Sequence, residues 1–202
     1  MKNQAKNQPE NILEEIYHMK VFKSSIDGES DLVLERNTFD GRQCPSSVCH
    51  CSRQEQAEQE AYRDKRHDGQ LYIPRTAPLG LLIQAASQRG LRVEWNIKRY
   101  VRIVEPHILL THAFSEVPIT DYAIHSESFT RPSSGKIVLR HRPRLRDWGA
   151  MFRLCYNEKY VSPALIRGLL VEVGKQIGLG ACTERGNGAY GRFTVTEWQE
   201  IM

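Results

Sequence analysis

The segment SPALIRGLLVEVGKQIG, residues 162–178, constrains the fold most strongly. Ser162 is a typical helix N-cap, Pro163 suits the first helical position, and Gly178 suits the residue that follows a helix. Because a helix with one apolar stripe must cover it, we predict a helix from Ser162 to Ile177 that packs on a sheet. The stripe consists of Leu165, Ile166, Leu169, Leu170, Val173 and Ile177.

Runs rich in β-branched and aromatic residues surround this helix, and Pro, Gly or Ser separates them. A second helix is predicted to begin at Thr76 and to stop at Gly90. The order of strand, helix, several strands, helix and strand predicts an α+β fold, namely a ferredoxin-like (RRM-like) antiparallel sheet with helices on one face. The predicted strands are residues 16–24, 91–104, 107–114, 121–129, 135–142, 148–156 and 190–198.

The chain of 202 residues, 40% of them hydrophobic, suits a single domain over residues 1–202. Residues 1–11 are polar, and we expect a flexible head there. Residues 27–70 are also polar, and the run SRQEQAEQEAYRDKRHDG within them offers almost no apolar stripe. We therefore expect residues 27–70 to form a peripheral insertion, either a loop or a solvated helix.

The sequence carries no sign of export or membrane insertion. Its N-terminal residues lack the apolar centre of a signal peptide, and no run approaches the roughly 18 apolar residues of a membrane helix. We therefore expect a cytoplasmic protein with no membrane partner.

Three of the five cysteines, Cys44, Cys49 and Cys51, lie in the run CPSSVCHC. Their C-x4-C-x-C spacing is not a standard structural zinc pattern, and no second C-x2-C pair accompanies it. In a reducing compartment we expect free thiols rather than a disulfide, with a zinc ion as the less favoured alternative. The expectation is therefore no metal and no cofactor.

Residues 178–198, GLGACTERGNGAYGRFTVTEW, contain five glycines, two arginines and three aromatic residues. The glycines follow a helix instead of opening one, and no Gly-Lys-Ser/Thr occurs, so the stretch matches neither a P-loop nor a dinucleotide fingerprint. Two interpretations stay open. Either the glycines serve turn geometry, or the loop amides, with Arg185, Arg192 and a stacking Tyr190, bind single-stranded RNA. As a strand, the end of this stretch places Phe193 and Trp198 on opposite faces.

The motif GLGACTERGNG, which follows a helix and precedes a final strand, resembles the C-terminal glycine-rich loop of the repeat-associated RNA-binding superfamily of CRISPR systems. That superfamily includes guide-RNA-processing endoribonucleases and subunits that coat guide RNA. The resemblance covers the C-terminal fifth of the chain and extends to a relative encoded by a virus or plasmid. It implies RNA contact, or support of an RNA-binding sheet, by Gly178, Gly180, Arg185, Gly186 and Gly188.

A second stretch, RPSSGKIVLRHRPRLRDW, carries five arginines and one lysine before its first acidic residue. Strand alternation would place its even-numbered residues on one face and Ile137 and Leu139 in the core. Arginines track phosphates and stack on unpaired bases, so the stretch favours RNA binding over the alternative of a solvated strand. The predicted backbone contacts are Arg140, Arg142, Arg144, Arg185 and Arg192.

These patterns favour a non-catalytic binder of single-stranded RNA. The resemblance implies protein partners in a ribonucleoprotein of CRISPR-related antiviral defence or of viral origin. One alternative is a metal-independent endoribonuclease whose general base is His18, His107, His112 or His125, although the spacing assigns no catalytic residue. The other is a viral interaction protein that inhibits a nucleic-acid enzyme through the same basic face. The net charge of +4 is too modest to choose among these classes.

Overall fold

The computed structural model describes residues 19–35, 52–90, 94–130, 135, 137–181 and 190–201. The strands in these ranges are β1 (Met19–Gly28), β2 (Leu32–Val33), β3 (Arg63–Asp64), β4 (Gln70–Pro74), β5 (Val101–Ile103), β6 (His107–His112), β7 (Ala123–Thr130), β8 (Ile137–Leu145), β9 (Trp148–Asn157) and β10 (Phe193–Glu200). The helices are α1 (Arg53–Glu60), α2 (Thr76–Gln88), α3 (Glu94–Tyr100), α4 (Pro163–Glu172) and a π-helix (Val173–Ile177) that continues α4.

Two sheets organise the described part of the chain. The larger has the order β10-β1-β9-β6-β4-β3, and β5 pairs with β9 beyond the end of β6. The smaller has the order β2-β8-β7. All strand pairs within the described ranges are antiparallel. The predicted α+β class with an antiparallel sheet is therefore confirmed.

β1 and β9 lie side by side in the large sheet, with one face toward the core and the other face open. β1 and β9 pair in continuous register from Met19 opposite Asn157 to Asp27 opposite Gly149. Alternate β1 residues such as Phe22 and Ile26 are buried, whereas Lys23 is only half-buried because it lies on the other face. Side chains of α2 and α4 join this buried face in one continuous core, which includes Leu82, Leu169, Leu170, Phe152 and Leu154.

The helix predicted from Ser162 to Ile177 is present, and its beginning follows the expected chemistry. The Ser162 hydroxyl accepts a hydrogen bond from the Leu165 amide at 3.2 Å, and Pro163 opens α4. The last turn widens into the π-helix, and the Gly178 amide donates to the Val173 carbonyl at 2.7 Å. None of the helices within the described ranges is long and apolar enough to cross a membrane.

The strand predicted over residues 91–104 is wrong in its central part, where α3 forms. Glu94 lies in the first turn of α3, and Lys98 and Arg99 lie in the last turn, which complements the helix dipole. Ile97 is buried in the core, so one apolar side chain anchors this short helix. Tertiary packing and end charges therefore override the β-propensity of the segment.

The orientation predicted for Trp198 is also wrong, because β10 contains an irregularity. Ser25 pairs with Glu197 but Ile26 pairs with Val195, so one extra β10 residue interrupts the register. Such a bulge reverses which alternate side chains face the core. Trp198 consequently packs against Phe22, with the ring centroids 5.0 Å apart.

The described part of residues 27–70 contacts the rest of the molecule at several points. Leu32 and Leu34 are buried, and β2 pairs with β8. α1 begins with a capping box in which Ser52 and Glu55 bind each other's backbone amides. The division of the chain into a body and a peripheral insertion at residues 27–70 stays a prediction, and the proposed head, residues 1–11, lies outside the described residues.

Gly168 of α4 and Gly174 of the π-helix that continues it supply a matched pair for testing this packing. A Cβ atom at Gly174 would lie 2.2 Å from the Phe193 carbonyl oxygen, whereas one at Gly168 would meet nothing within 4 Å. We expect Gly174→Ala to lower the free energy of unfolding by about 1–3 kcal/mol through overpacking. Gly168→Ala should raise it by about 0.5–1 kcal/mol through helix propensity. Urea denaturation measures both, and equal stabilities of the two variants would contradict the close contact with β10.

Candidate nucleic-acid interface

The three predicted RNA-contacting arginines of β8 each form an ion pair with a carboxylate of the same chain. Arg142 donates to Glu35 and to Glu127, both at 3.0 Å. Arg140 donates to the same Glu35 oxygen at 2.8 Å, and Arg144 pairs with Asp31. The positive charge of β8 is therefore largely balanced within the fold.

The face predicted for these arginines is reversed. The Arg142 side chain is only 9% exposed, whereas Ile137 is 77% exposed and Leu139 is also exposed. α1 and the two flanking strands pack around β8, and the carboxylates of Glu35 and Glu127 compensate the burial of the guanidinium. The two carboxylates therefore allow Arg142 to lie on the buried face of β8, where the sequence predicted apolar residues.

The described ends of the glycine-rich stretch are fixed next to β2. Gly178 and Gly180 have φ angles of +83° and +85°, which glycine adopts without strain. A Cβ atom at Gly180 would lie 2.4 Å from the Val33 carbonyl oxygen. The amide of Ala181 donates to that same oxygen at 2.7 Å, and the amide of Gly191 donates to the Asp31 carbonyl at 2.8 Å. Arg185, Gly186 and Gly188 lie outside the described residues.

Asp31 links the two stretches predicted to bind RNA, the glycine-rich stretch and the arginine-rich β8. Its carbonyl holds Gly191 at one end of the glycine-rich stretch, and its carboxylate holds Arg144 of β8. Tyr190 lies edge-on to His125 of β7, with the centroids 5.1 Å apart. Arg192 is exposed, and its amide donates to the Ser30 hydroxyl at 2.9 Å. The base of the stretch therefore adjoins the small sheet that carries the arginines.

The open face of the large sheet forms a groove of about 630 Å³. Its apolar floor includes Leu109 and Met151. The carboxylates that line it are those of Asp27, Glu105, Glu116 and Glu197, against the cation of Lys23 and the imidazole of His107. Hydrogen bonds from Ser25 and Lys23 lower the pKa of Glu197, so this carboxylate stays ionised at lower pH than an ordinary glutamate. Lys23 and Arg153 pair with Glu197 and Glu105, and the remaining excess of negative charge disfavours phosphate.

His107 forms a histidine–carboxylate pair with Asp64 at the edge of this groove. The sequence suggested His107 as a candidate base but did not predict its partner. His107 Nδ1 lies 2.8 Å from an oxygen of the buried Asp64, and the His107 ring stacks on Tyr72 with the centroids 3.9 Å apart. An ionised carboxylate only accepts, so Nδ1 carries the proton. This bond and the Arg66 amide, which donates at 2.8 Å, lower the pKa of Asp64 to about 2. The two partners are 43 positions apart in the sequence, and no local pattern predicts that they meet.

The remaining residues predicted as functional either lie apart from this interface or fall outside the described residues. His112 is exposed at the end of β6, whereas His18 falls outside the described residues. Cys44, Cys49 and Cys51 also fall outside them, so the choice between free thiols and zinc stays a prediction. Among the residues that the structure describes, no group of three or more metal-binding side chains is present. Cys155 is a free thiol whose pKa is raised by burial.

No family model matches the chain, and no curated protein matches its sequence. Among solved structures, the chain is similar to one in the cryo-EM structure of the Type III-B Cmr-beta bound to cognate target RNA, with a TM-score of 0.58 and 12% sequence identity. The match covers 95% of this chain and 63% of that chain, so this chain spans less than two thirds of its neighbour's length. Cmr6 from Pyrococcus furiosus matches with a TM-score of 0.42 and 13% identity, over 89% of this chain and 99% of that chain. The similarity to the Cmr-beta chain is a similarity of fold.

Arg142 and Arg153 form a matched pair for testing the buried cation. Arg142→Ala should lower the free energy of unfolding by about 2–3 kcal/mol, because it removes a buried cation and its hydrogen bonds to two carboxylates. Arg153 pairs with Glu105 at 2.6 Å but is 48% exposed, so Arg153→Ala should cost less than about 1 kcal/mol. Urea denaturation separates the two. An Arg142 variant as mild as the Arg153 variant would contradict the burial of Arg142.

The lowered pKa of Asp64 predicts how stability depends on pH. A carboxyl whose pKa falls on folding from 3.8 to about 2 stabilises the fold above about pH 4, and this stability is lost as the pH falls toward 2. The unfolding free energies of wild type and Asp64→Asn should therefore converge between about pH 4 and pH 2. His107→Ala removes the strongest hydrogen bond and so raises the folded-state pKa of Asp64 toward 3.8. In that background the stability lost on acidification should be smaller and should be complete at a higher pH. A wild-type advantage that is constant down to pH 2 would contradict this assignment.

Proposed function

We propose that this chain is an RNA-binding subunit of a CRISPR-related ribonucleoprotein, built on a ferredoxin-like (RRM-like) core. The observation that carries the proposal is the spatial order β10-β1-β9-β6, with α2 between β1 and β6 in sequence and α4 between β9 and β10. This order supports a ferredoxin-like core, whose motif is strand–helix–strand–strand–helix–strand. A four-stranded sheet of this type is a common RNA-binding module.

The comparison with solved structures supports the same function. Its first neighbour has a related fold and belongs to an assembly whose structure was determined with target RNA bound. Because one fold serves many functions, the proposal also needs support from residues of this chain. That support is the adjacency of the glycine-rich stretch and the arginine-bearing sheet at Asp31.

We assign single-stranded RNA to the side of the molecule that carries the glycine-rich stretch. The acidic groove on the open sheet face disfavours phosphate there. Arg140 and Arg144 keep about a third of their side chains exposed and supply the β8 contacts, while the buried Arg142 holds the strand in place. The proposed contacts on the stretch are Gly178, Gly180, Arg185, Gly186, Gly188, Tyr190 and Arg192.

A metal-independent endoribonuclease is the second candidate, and one observation favours it. Asp64 orients His107 through Nδ1, which leaves Nε2 as the nitrogen that can accept a proton from a ribose 2′-OH. The carboxylates of the surrounding groove oppose the approach of a phosphate, which is why RNA binding without cleavage is preferred.

RNA binding should depend steeply on salt. Each phosphate contact on a single strand contributes a slope of about −0.7 to the logarithm of affinity against the logarithm of salt concentration. We expect Arg185→Ala/Arg192→Ala to flatten the slope by about 1.4 units, measured with labelled single-stranded RNA. The control is Arg167→Ala/Lys175→Ala, which makes the same charge change on the α4 and π-helix segment. Absence of wild-type binding at about 50 mM salt would refute the proposed function, and equal slopes for both double variants would refute the loop contacts.

The second candidate requires a separate assay. Labelled hairpin RNA is incubated with the protein and a chelator of divalent metals, and cleavage products are separated on a gel. Cleavage that His107→Ala abolishes and His112→Ala preserves would establish the endoribonuclease. RNA that is bound but stays intact would leave binding as the function.

A further inference from the structure

A cluster of aromatic rings and cations lies on α3 and on the turn between β9 and α4. Trp95 is 71% exposed, and the Lys98 ammonium lies 5.5 Å from its ring centroid. The Tyr100 and Tyr160 rings stack with their centroids 4.0 Å apart and an interplanar angle of 8°. We call this set the aromatic–basic patch: Trp95, Lys98, Arg99, Tyr100, Lys159 and Tyr160.

The fold joins two distant segments to form this patch. Ile97 anchors α3 in the core, and the Asn96 side-chain amide donates to the Tyr160 carbonyl at 3.3 Å. The guanidinium of Arg99 lies 5.3 Å from the Tyr100 centroid, and the Lys159 ammonium lies 5.9 Å from the Tyr160 centroid. Each cation of the patch is thus placed beside a ring.

The charge of the patch differs from that of β8. Within the described residues, Lys98, Arg99 and Lys159 take part in no ion pair. Arg102 adds a fourth cation, since its guanidinium donates to the Lys98 carbonyl at 2.8 Å. These cations outnumber the acidic neighbours in sequence, Glu94 and Glu158. The patch is therefore available to an external anion.

The exposed Trp95 ring offers a flat surface for stacking. A tryptophan that is mostly in water contributes little to the core, and this one is not isolated on the surface, because the Lys98 ammonium lies over its ring. Flat aromatic rings bordered by cations suit single-stranded nucleic acid, because bases stack on the rings while phosphates meet the cations. A protein partner would also meet an exposed tryptophan, but the excess of cations favours a polyanion.

We propose that the aromatic–basic patch binds single-stranded RNA, with a base stacked on Trp95 and phosphates contacted by Lys98, Arg99 and Lys159. This inference rests on the proposed function and locates an RNA contact that the sequence patterns did not indicate. The patch shares no residue with the glycine-rich stretch, so it adds a second RNA contact to the one proposed there.

Intrinsic fluorescence tests the stacking directly. The chain has three tryptophans, of which Trp148 is fully buried and Trp198 is half-buried against Phe22. Titration with an oligouridylate of about 12 nucleotides, within the range of single-stranded site sizes, should therefore quench mainly Trp95. Trp95→Phe should remove the quenching but keep a ring for stacking, so its affinity should change by less than about threefold.

Trp95→Leu should weaken binding by about five- to hundredfold, as expected for the loss of one base–aromatic stack. Phe114→Leu is the matched control, because Phe114 is 84% exposed but lies at the acidic groove, and its affinity should not change. Lys98→Gln/Arg99→Gln should flatten the salt slope by about 1.4 units, and Arg167→Gln/Lys175→Gln should not. Thermal melting verifies that each variant is folded.

The outcomes separate the two proposals. RNA binding without quenching, together with a Trp95→Leu affinity equal to wild type, would overturn the patch and leave the proposed function standing. Absence of RNA binding by wild type would overturn both. A Trp95→Leu variant that keeps full RNA affinity but loses a protein from its assembly would assign the patch to a protein partner and overturn the RNA assignment.

Discussion

The pairing of β1 with β9 is the constraint on which the rest of the structure depends. Nine consecutive residues of β1 pair with β9 without interruption, so the faces of both strands are fixed along their whole length. One face carries Phe22 and Ile26 into the core with α2 and α4. The other carries Lys23 and Asp27 to the acidic groove. A slip of one residue would exchange these faces and would bury charge under the helices.

Arginine serves two different purposes in this molecule. In β8 the guanidiniums of Arg140, Arg142 and Arg144 meet carboxylates from residues distant in sequence, and so help to join the small sheet to its surroundings. In the aromatic–basic patch Arg99 meets a tyrosine ring. A carboxylate offsets part of the charge of the cation, whereas a ring leaves that charge available. Local sequence composition does not distinguish these two situations.

The sequence predicted those elements whose signals are local. The helix after Ser162 has its cap, its Pro163 and its apolar stripe within one short run, and it forms where expected. The predictions failed where distant contacts decide the outcome. α3 forms because Ile97 is buried in the core, and Arg142 turns inward because Glu35 and Glu127 surround it. The bulge in β10 reverses Trp198 and depends on register with β1, which one strand's sequence does not encode. The same reasoning explains why neither the His107–Asp64 pair nor the aromatic–basic patch was predicted.

The anchored ends of the glycine-rich stretch allow the number of residues between them to vary. Hydrogen bonds from Ala181 to Val33 and from Gly191 to Asp31 hold its two ends on neighbouring residues of one segment. The ends therefore stay together whatever lies between them. Loop-closure entropy grows only with the logarithm of length, so doubling the intervening chain would cost about 0.6 kcal/mol. Inserted residues could thus alter the reach and chemistry of this loop while the sheet beneath it keeps its geometry.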